Sequence, residues 1–324
     1  MTLHSPLSQL DQLRSLSIVV SDTGDIDEVR RLKPTDCTTN PTLLLKAAQN
    51  PAYAGLVREA ADWARAATPQ GGDEVQAACD RLLILFGREL AALVPGRVSI
   101  EVDADLAHDA AATVAKARAL LAQFAAAGIG RERLLIKIAA TLEGLCAARQ
   151  LQAEGTDCNL TLLFSQVQAQ AAAEAGAFLI SPFVGRVLDW HLAQGEGPFA
   201  PETDPGVALV RAIYQTYKAS GVTTVVMGAS FRNLGEIQAL AGCDRLTLSP
   251  ALIDQLAAER APLKRALSPP QATSAARPPA LDEAEFRRLM ALDCMASEKL
   301  AEGVAAFALD LQRLRAFIGG VIAC

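Results

Sequence analysis

Arg133-Leu134-Leu135-Ile136-Lys137-Ile138-Ala139 is an aliphatic run with strand character and one amine at its centre. A strand sends alternate side chains to opposite faces, so Lys137 shares a face with Leu135 and Ala139 while Leu134, Ile136 and Ile138 form a wholly aliphatic opposite face. Burying a lysine is costly unless it is paired or gives up its proton. One face therefore reads as core, and the other carries a group to be used.

The alternation recurs. In Arg97-Val98-Ser99-Ile100-Glu101-Val102-Asp103 the polar face holds Ser99, Glu101 and Asp103, and in Cys158-Asn159-Leu160-Thr161-Leu162-Leu163 Asn159 and Thr161 alternate with leucines. A strand of an open parallel sheet, covered on both faces, should be apolar throughout. A polar inner stripe on several strands suggests a closed barrel whose lumen holds chemistry near one end. Strand candidates fall at 17–20, 35–39, 97–102, 134–139, 158–163, 178–183, 223–228 and 245–249. Between most of them lie Ala/Leu/Glu/Arg-rich stretches of helical period, at 51–67, 73–93, 108–127 and 204–220, often closed by a glycine such as Gly128, Gly155, Gly176 or Gly221. Alternating strands and helices predict a (β/α)8 barrel of the TIM type with a C-terminal helical extension, the doubly wound open sheet being the alternative.

The 324 residues, 51% apolar, suffice for one large core, and a single domain over 1–324 is expected. A Pro/Ala-rich connection near 262–281 leads to a closing helix or helices over 282–317, and 191–205 reads as a long loop after the sixth strand. Either irregular segment could be a lid or a plain surface connection. A net charge of −6 and a pI near 5.2 argue against a nucleic-acid or anionic-membrane surface, so any phosphate site must be local. Seven scattered cysteines, never spaced as CxxC, read as reduced thiols, and the N-terminus lacks the pattern of a secretion signal. No segment has the apolar length of a membrane span, and a cytoplasmic location is expected. His4, His108 and His191 are too dispersed for a metal centre, and no metal or cofactor is expected.

Seven motifs occur in order: Ser21-Asp22-Thr23-Gly24-Asp25, Thr38-Thr39-Asn40-Pro41, Glu101-Val102-Asp103, Leu135-Ile136-Lys137-Ile138-Ala139, Cys158-Asn159-Leu160-Thr161-Leu162-Leu163-Phe164-Ser165, Ile180-Ser181-Pro182-Phe183-Val184-Gly185-Arg186 and Met227-Gly228-Ala229-Ser230-Phe231-Arg232-Asn233. By these motifs the sequence resembles the transaldolase family; the resemblance runs from the first strand through Pro250 and resumes in Lys299-Leu300-Ala301-Glu302-Gly303, covering nearly the whole chain. The resemblance implies a pentose-phosphate enzyme, a monomer or homodimer. It would move a dihydroxyacetone unit from a ketose phosphate to an aldose phosphate through a lysine Schiff base.

Lys137 would be the imine-forming amine, since addition to a ketone needs the neutral form that apolar surroundings favour; the alternative is a structural ion pair. By resemblance, Glu101 handles protons through a water that Thr161 helps to hold. A satisfied polar pair in the barrel mouth is the other reading of both. Asp22 would take the proton of the substrate's C-4 hydroxyl, although Asp22-Thr23-Gly24-Asp25 is also good turn chemistry. Asn40 before Pro41 reads as a helix N-cap, and by resemblance Asn40 and Asn159 also hydrogen-bond substrate hydroxyls. Ser230, Arg232 and Arg186 would grip the phosphate where a strand leads into a helix over 233–241, with Ser181 contacting substrate.

Two departures from the family pattern bear on packing and substrate preference. Ala140-Thr141-Leu142 stands where Ser-Thr-Trp is expected, and Asp105 where an arginine is expected. The rival readings are a fructose-6-phosphate aldolase, whose shorter relatives place a tyrosine where Glu101 stands, and a silent sugar-phosphate-binding barrel, which retention of Lys137 and Glu101 disfavours.

Overall fold

The computed structural model describes residues 7–270 and 279–323. Eight parallel strands, β1 (Ile18–Asp22), β2 (Asp36–Thr38), β3 (Val98–Glu101), β4 (Leu134–Ala139), β5 (Cys158–Leu163), β6 (Leu179–Pro182), β7 (Val225–Gly228) and β8 (Arg245–Leu248), pair in sequence order, and β8 closes on β1. They are the eight segments foreseen, with ends moved by no more than two residues. Between them run helices such as Ala54–Ala67, Glu74–Leu93, Ala110–Ala126 and Pro205–Ala219, which bury Leu82, Leu85, Leu120 and Tyr214 against the outer face of the barrel. Asp73 and Asp109 cap two of these by accepting from Gln76 and Ala112 N–H groups. Gly128 ends the third with φ +83°, a conformation in which a Cβ would be strained.

Inside the barrel the side chains form layers. At the N-terminal end Asp36 of β2 pairs with Arg245 of β8, and Phe178 lies under the guanidinium groups of Arg97 and Arg245 at 4.5 and 5.9 Å. Above them Val20, Leu135, Leu179 and Met227 form a small apolar cluster of their own. The next inward positions, two residues on along β1, β4 and β6, are Asp22, Lys137 and Ser181. An apolar plug thus separates a structural ion pair at one end of the lumen from a polar layer at the other, the C-terminal strand ends where barrels carry their chemistry.

The closing segment is two helices, Glu283–Leu292 and Cys294–Ala323, broken at Asp293 and continuing past the expected end at 317. The second packs across Pro41–Gln49, Ala54–Ala67, Glu74–Leu93 and β5. The expected loop 191–205 is shorter: helix Val184–Ala193 includes His191, and Pro205 starts the next helix, leaving 194–204 as the connection. Of the connection near 262–281, residues 271–278 lie outside the described residues, as do His4 and Cys324; the other six cysteines are free thiols.

Candidate active site

Lys137 and Glu101 are register partners on β4 and β3, so their inward side chains meet. Lys137 Nζ lies 2.9 Å from Glu101 Oε2, off the axis of a well-formed hydrogen bond, and donates to the Thr39 carbonyl at 2.9 Å. Their relative exposures are 4% and 8%. Burial pushes the Glu101 carboxyl above its ordinary pKa, and the Lys137 charge beside it pulls the other way without cancelling the rise.

Asp22 ends β1 half-buried, and Thr38 Oγ1 donates to its Oδ1 at 2.8 Å. Thr247 Oγ1 of β8 stands 2.8 Å from Thr38 Oγ1; with the Thr38 hydrogen directed at the carboxylate, Thr247 supplies the hydrogen of that second contact. Across the lumen Asn159 Oδ1 accepts from Ser181 Oγ at 2.7 Å and its Nδ2 donates to Ser99 Oγ at 3.1 Å. Thr161 Oγ1, fully buried, has no hydrogen-bond partner among the described residues. Just beyond it the chain bulges, with Leu162 at φ +52° and a register shift between Leu160 and Leu163. Gln168 holds the bulge by donating to the Ala140 and Leu162 carbonyls and accepting from Phe164 N–H. Asn40 is an N-cap through Oδ1, which accepts from Leu43 N–H at 2.9 Å. The cap uses one end of the amide only, as the chemistry allowed.

The cationic end is built from two arginines held in opposite ways. Arg186, on Val184–Ala193, has its guanidinium over the rings of Phe183 (4.9 Å) and Phe307 (5.4 Å), and no hydrogen bond or ion pair to it is found among the described residues. Phe307 comes from the closing helix, whose Gly303 leaves room: a Cβ there would stand 3.1 Å from Arg186 Nη1 and 2.7 Å from Leu162 Cδ2. Burial and the Arg232 charge lower the Arg186 pKa from its ordinary value. Arg232 is more exposed and is clamped by Asp189, with Nη2 2.6 Å from Oδ2. Ser230, between strand and helix, takes φ +62°. The helix that follows is Leu234–Ala239, shorter than the expected 233–241, and is capped by Asn233. Glu236, 1% exposed, accepts from the Arg232 N–H at 2.7 Å and from Asn233 Nδ2 at 3.1 Å, and its own N–H donates to Asn233 Oδ1 at 3.1 Å, so one first-turn donor is committed within the protein.

A cavity of about 220 Å³ opens over this layer. Eight of the ten residues singled out in the sequence line it: Asp22, Asn40, Lys137, Thr161, Ser181, Arg186, Ser230 and Arg232. Glu101 instead faces a neighbouring space of about 30 Å³ beside Asn40 and reaches the larger cavity through Lys137. Asn159 lies beneath, bound to Ser181. Larger grooves of about 320 and 820 Å³ on the helical shell contain none of these residues. Thr38, Thr247 and Phe307 also line the cavity and were not anticipated. Thr38 and Thr247 are polar inward positions of their strands, a signal the alternation carried, whereas nothing local marks Phe307 as part of a site reached from a distant helix.

The two departures have structural counterparts. Asp105 accepts from Arg315 Nη1 of the closing helix at 2.6 Å, so this carboxylate has its own cationic partner. Leu142 lines an open groove of about 380 Å³ against the closing helices, and Ala140 is fully buried beside Gln168.

Fold and site together define a (β/α)8 barrel with a buried lysine–carboxylate pair at its C-terminal mouth and two arginines across a sugar-sized cavity. Its sequence matches the profile of the Transaldolase/Fructose-6-phosphate aldolase family over residues 19–318. It is 57% identical over 311 residues to a transaldolase of Agrobacterium fabrum, covering 96% of this chain and 97% of that one. A transaldolase of Xanthomonas euvesicatoria pv. vesicatoria is 55% identical over 320 residues, 98% of each, and one of Rhizobium rhizogenes 56% identical over 314, covering 96% and 97%. The chain belongs to the transaldolase/fructose-6-phosphate aldolase family.

Proposed function

We propose that the protein is a transaldolase, a transferase that carries a dihydroxyacetone unit from sedoheptulose 7-phosphate or fructose 6-phosphate to glyceraldehyde 3-phosphate or erythrose 4-phosphate. The observation that carries this reading is the Lys137 amine held 2.9 Å from Glu101 at the floor of a cavity walled by Asp22 and two arginines. Lys137 adds to the donor's ketone and, with loss of water, becomes an imine. Glu101, whose carboxyl is raised by burial above its ordinary pKa, serves the addition and the loss of water, and the Thr161 hydroxyl, unpaired among the described residues, is available to the water involved. Asp22, oriented by Thr38, takes the C-4 hydroxyl proton as the C-3 to C-4 bond breaks and returns it when the acceptor aldehyde adds.

Arg186, Arg232 and Ser230 hold the phosphate, and Asn40, Ser181 and Asn159 orient the sugar hydroxyls, Asn159 through Ser181. The chain acts as one domain, as a monomer or homodimer in the cytoplasm; the contribution of Phe307 from the closing helix to the cavity supports the single domain.

A coupled assay tests the reading. Fructose 6-phosphate should yield sedoheptulose 7-phosphate when erythrose 4-phosphate is present and little free dihydroxyacetone when it is not. Rapid acceptor-independent release of dihydroxyacetone would assign the protein to the aldolase branch of the family instead.

A further inference from the structure

Asp189 stands on Val184–Ala193, three residues and nearly one helical turn beyond Arg186, and is paired with Arg232. Both of its carboxylate oxygens lie 3.2 Å from Arg232 Nε, and Oδ2 lies 2.6 Å from Nη2. The carboxylate thus occupies the side edge of the guanidinium, the one that carries Nε. Nη1 is turned to Ser230, 3.4 Å from both its carbonyl and its hydroxyl oxygen. The stem of Arg232 runs over Gly185, where a Cβ would come within 2.6 Å of its Cγ. The fork is therefore held from two sides, and Arg232 is among the residues that line the cavity. A guanidinium offers five donors in a rigid plane, so one edge can be spent on a carboxylate while another stays available to an anion.

We infer that Asp189 is a positioning residue of the phosphate grip: it holds Arg232 in place at the cavity and so sets the affinity for phosphorylated sugars. This rests on the reading of Arg232 as a phosphate ligand. A half-exposed ion pair adds little to the stability of the fold, so the consequence of this one lies in orientation. An unclamped arginine would have to be ordered each time a phosphate binds, and that ordering weakens affinity.

The test uses inorganic phosphate as a calorimetric probe and fructose 6-phosphate as the kinetic one, on Asp189→Ala, Asp189→Asn, Arg232→Ala and Asp189→Ala combined with Arg232→Ala, after thermal melts have shown which variants fold. Asp189→Ala should weaken phosphate binding and raise KM roughly threefold to tenfold, with kcat nearly unchanged. Asp189→Asn keeps one oxygen for the guanidinium and should recover part of the loss, so it carries the test if the alanine variant does not fold. In the Arg232→Ala background Asp189→Ala should change nothing further. Unchanged or tighter phosphate binding in the Asp189 variants, with Arg232→Ala still weakening it, overturns the positioning role. An Arg232→Ala variant that binds phosphate normally overturns the reading beneath it.

Discussion

Glu101 and Lys137 occupy the same rung of the β3–β4 ladder, and their side chains meet in the lumen at 2.9 Å. Adjacent parallel strands in register project equivalent side chains side by side, so the contact follows from backbone pairing and needs no loop to hold it. Each residue removes part of the other's burial cost, and losing either leaves a buried charge without its partner.

Lys137 should be the one lysine trapped by borohydride in the presence of fructose 6-phosphate, because reduction fixes the imine as a stable amine. Lys137→Arg should fold but form no adduct, a guanidinium being unable to make the imine. Peptide mass spectrometry locates the adduct. Lys33, the left-handed cap of a helix, and Lys218, paired with Asp244 at 2.7 Å, should remain unmodified. Modification of either in place of Lys137 would refute the assignment.

Arg186 has no ion-paired carboxylate among the described residues, so its removal should be read almost entirely in phosphate affinity. Charge-assisted contacts of this kind contribute roughly 1.5–3 kcal/mol, which corresponds to a KM for fructose 6-phosphate raised about tenfold or more in Arg186→Ala with kcat affected less. Phe307→Leu, which removes one of the two rings, should give a smaller loss of the same kind. Unphosphorylated fructose should be nearly indifferent to both changes, and equal losses on the two donors would contradict the assignment.

Glu236 predicts a pH dependence of stability. Burial pushes its pKa up to about 7 from 4.5. A carboxyl whose folded pKa is raised stabilises the fold most where it is protonated in both states, and that contribution is lost as pH rises through the folded pKa. The protein should therefore lose on the order of 2–3 kcal/mol between about pH 4.5 and pH 8 from this group. Glu236→Gln should show a shallower decline over the same window in urea titrations. Parallel curves for the two proteins would show that Glu236 does not titrate there.

Arg315 Nη1 donates to Asp105 at 2.6 Å, and Nε donates to Gln76 at 2.9 Å. Asp105→Arg would set two guanidinium groups together at the edge of the closing helix and should cost about 1–2 kcal/mol by thermal or urea unfolding. Adding Arg315→Asp should restore much of it. A single variant as stable as the parent would mean that the helix is held without this contact.

The strands were legible because a lumen imposes a rule on each of them separately: every second residue faces the same enclosed space. Lys137, Glu101 and Thr161 announce themselves as polar residues at those positions, and Asn40 as a polar residue before a helix-starting proline. What stayed hidden depends on pairs distant in sequence. Asp189 looks like an ordinary helix-surface acid until Arg232, on a later loop, is laid against it. Phe307 lies 121 positions from Arg186, so no periodicity links them. The break at Asp293 and the short helix Gln9–Arg14 involve too few residues for a helical repeat to register. The helix Val184–Ala193 was partly merged with the Gly/Pro-rich stretch after it, where composition masks the true boundary.

The dependence of Arg186 on Phe307 has a consequence for the order in which the protein matures. During vectorial synthesis all eight strands, and with them Lys137, Glu101 and Asp22, leave the ribosome before the helix Cys294–Ala323 that supplies the second ring. A nascent barrel could thus assemble its reactive amine while its anion grip is still unfinished. Sugar phosphates in the surrounding solution would then stabilise the growing chain less than the finished protein, and ligand stabilisation would reach its full extent only once the last helix has docked.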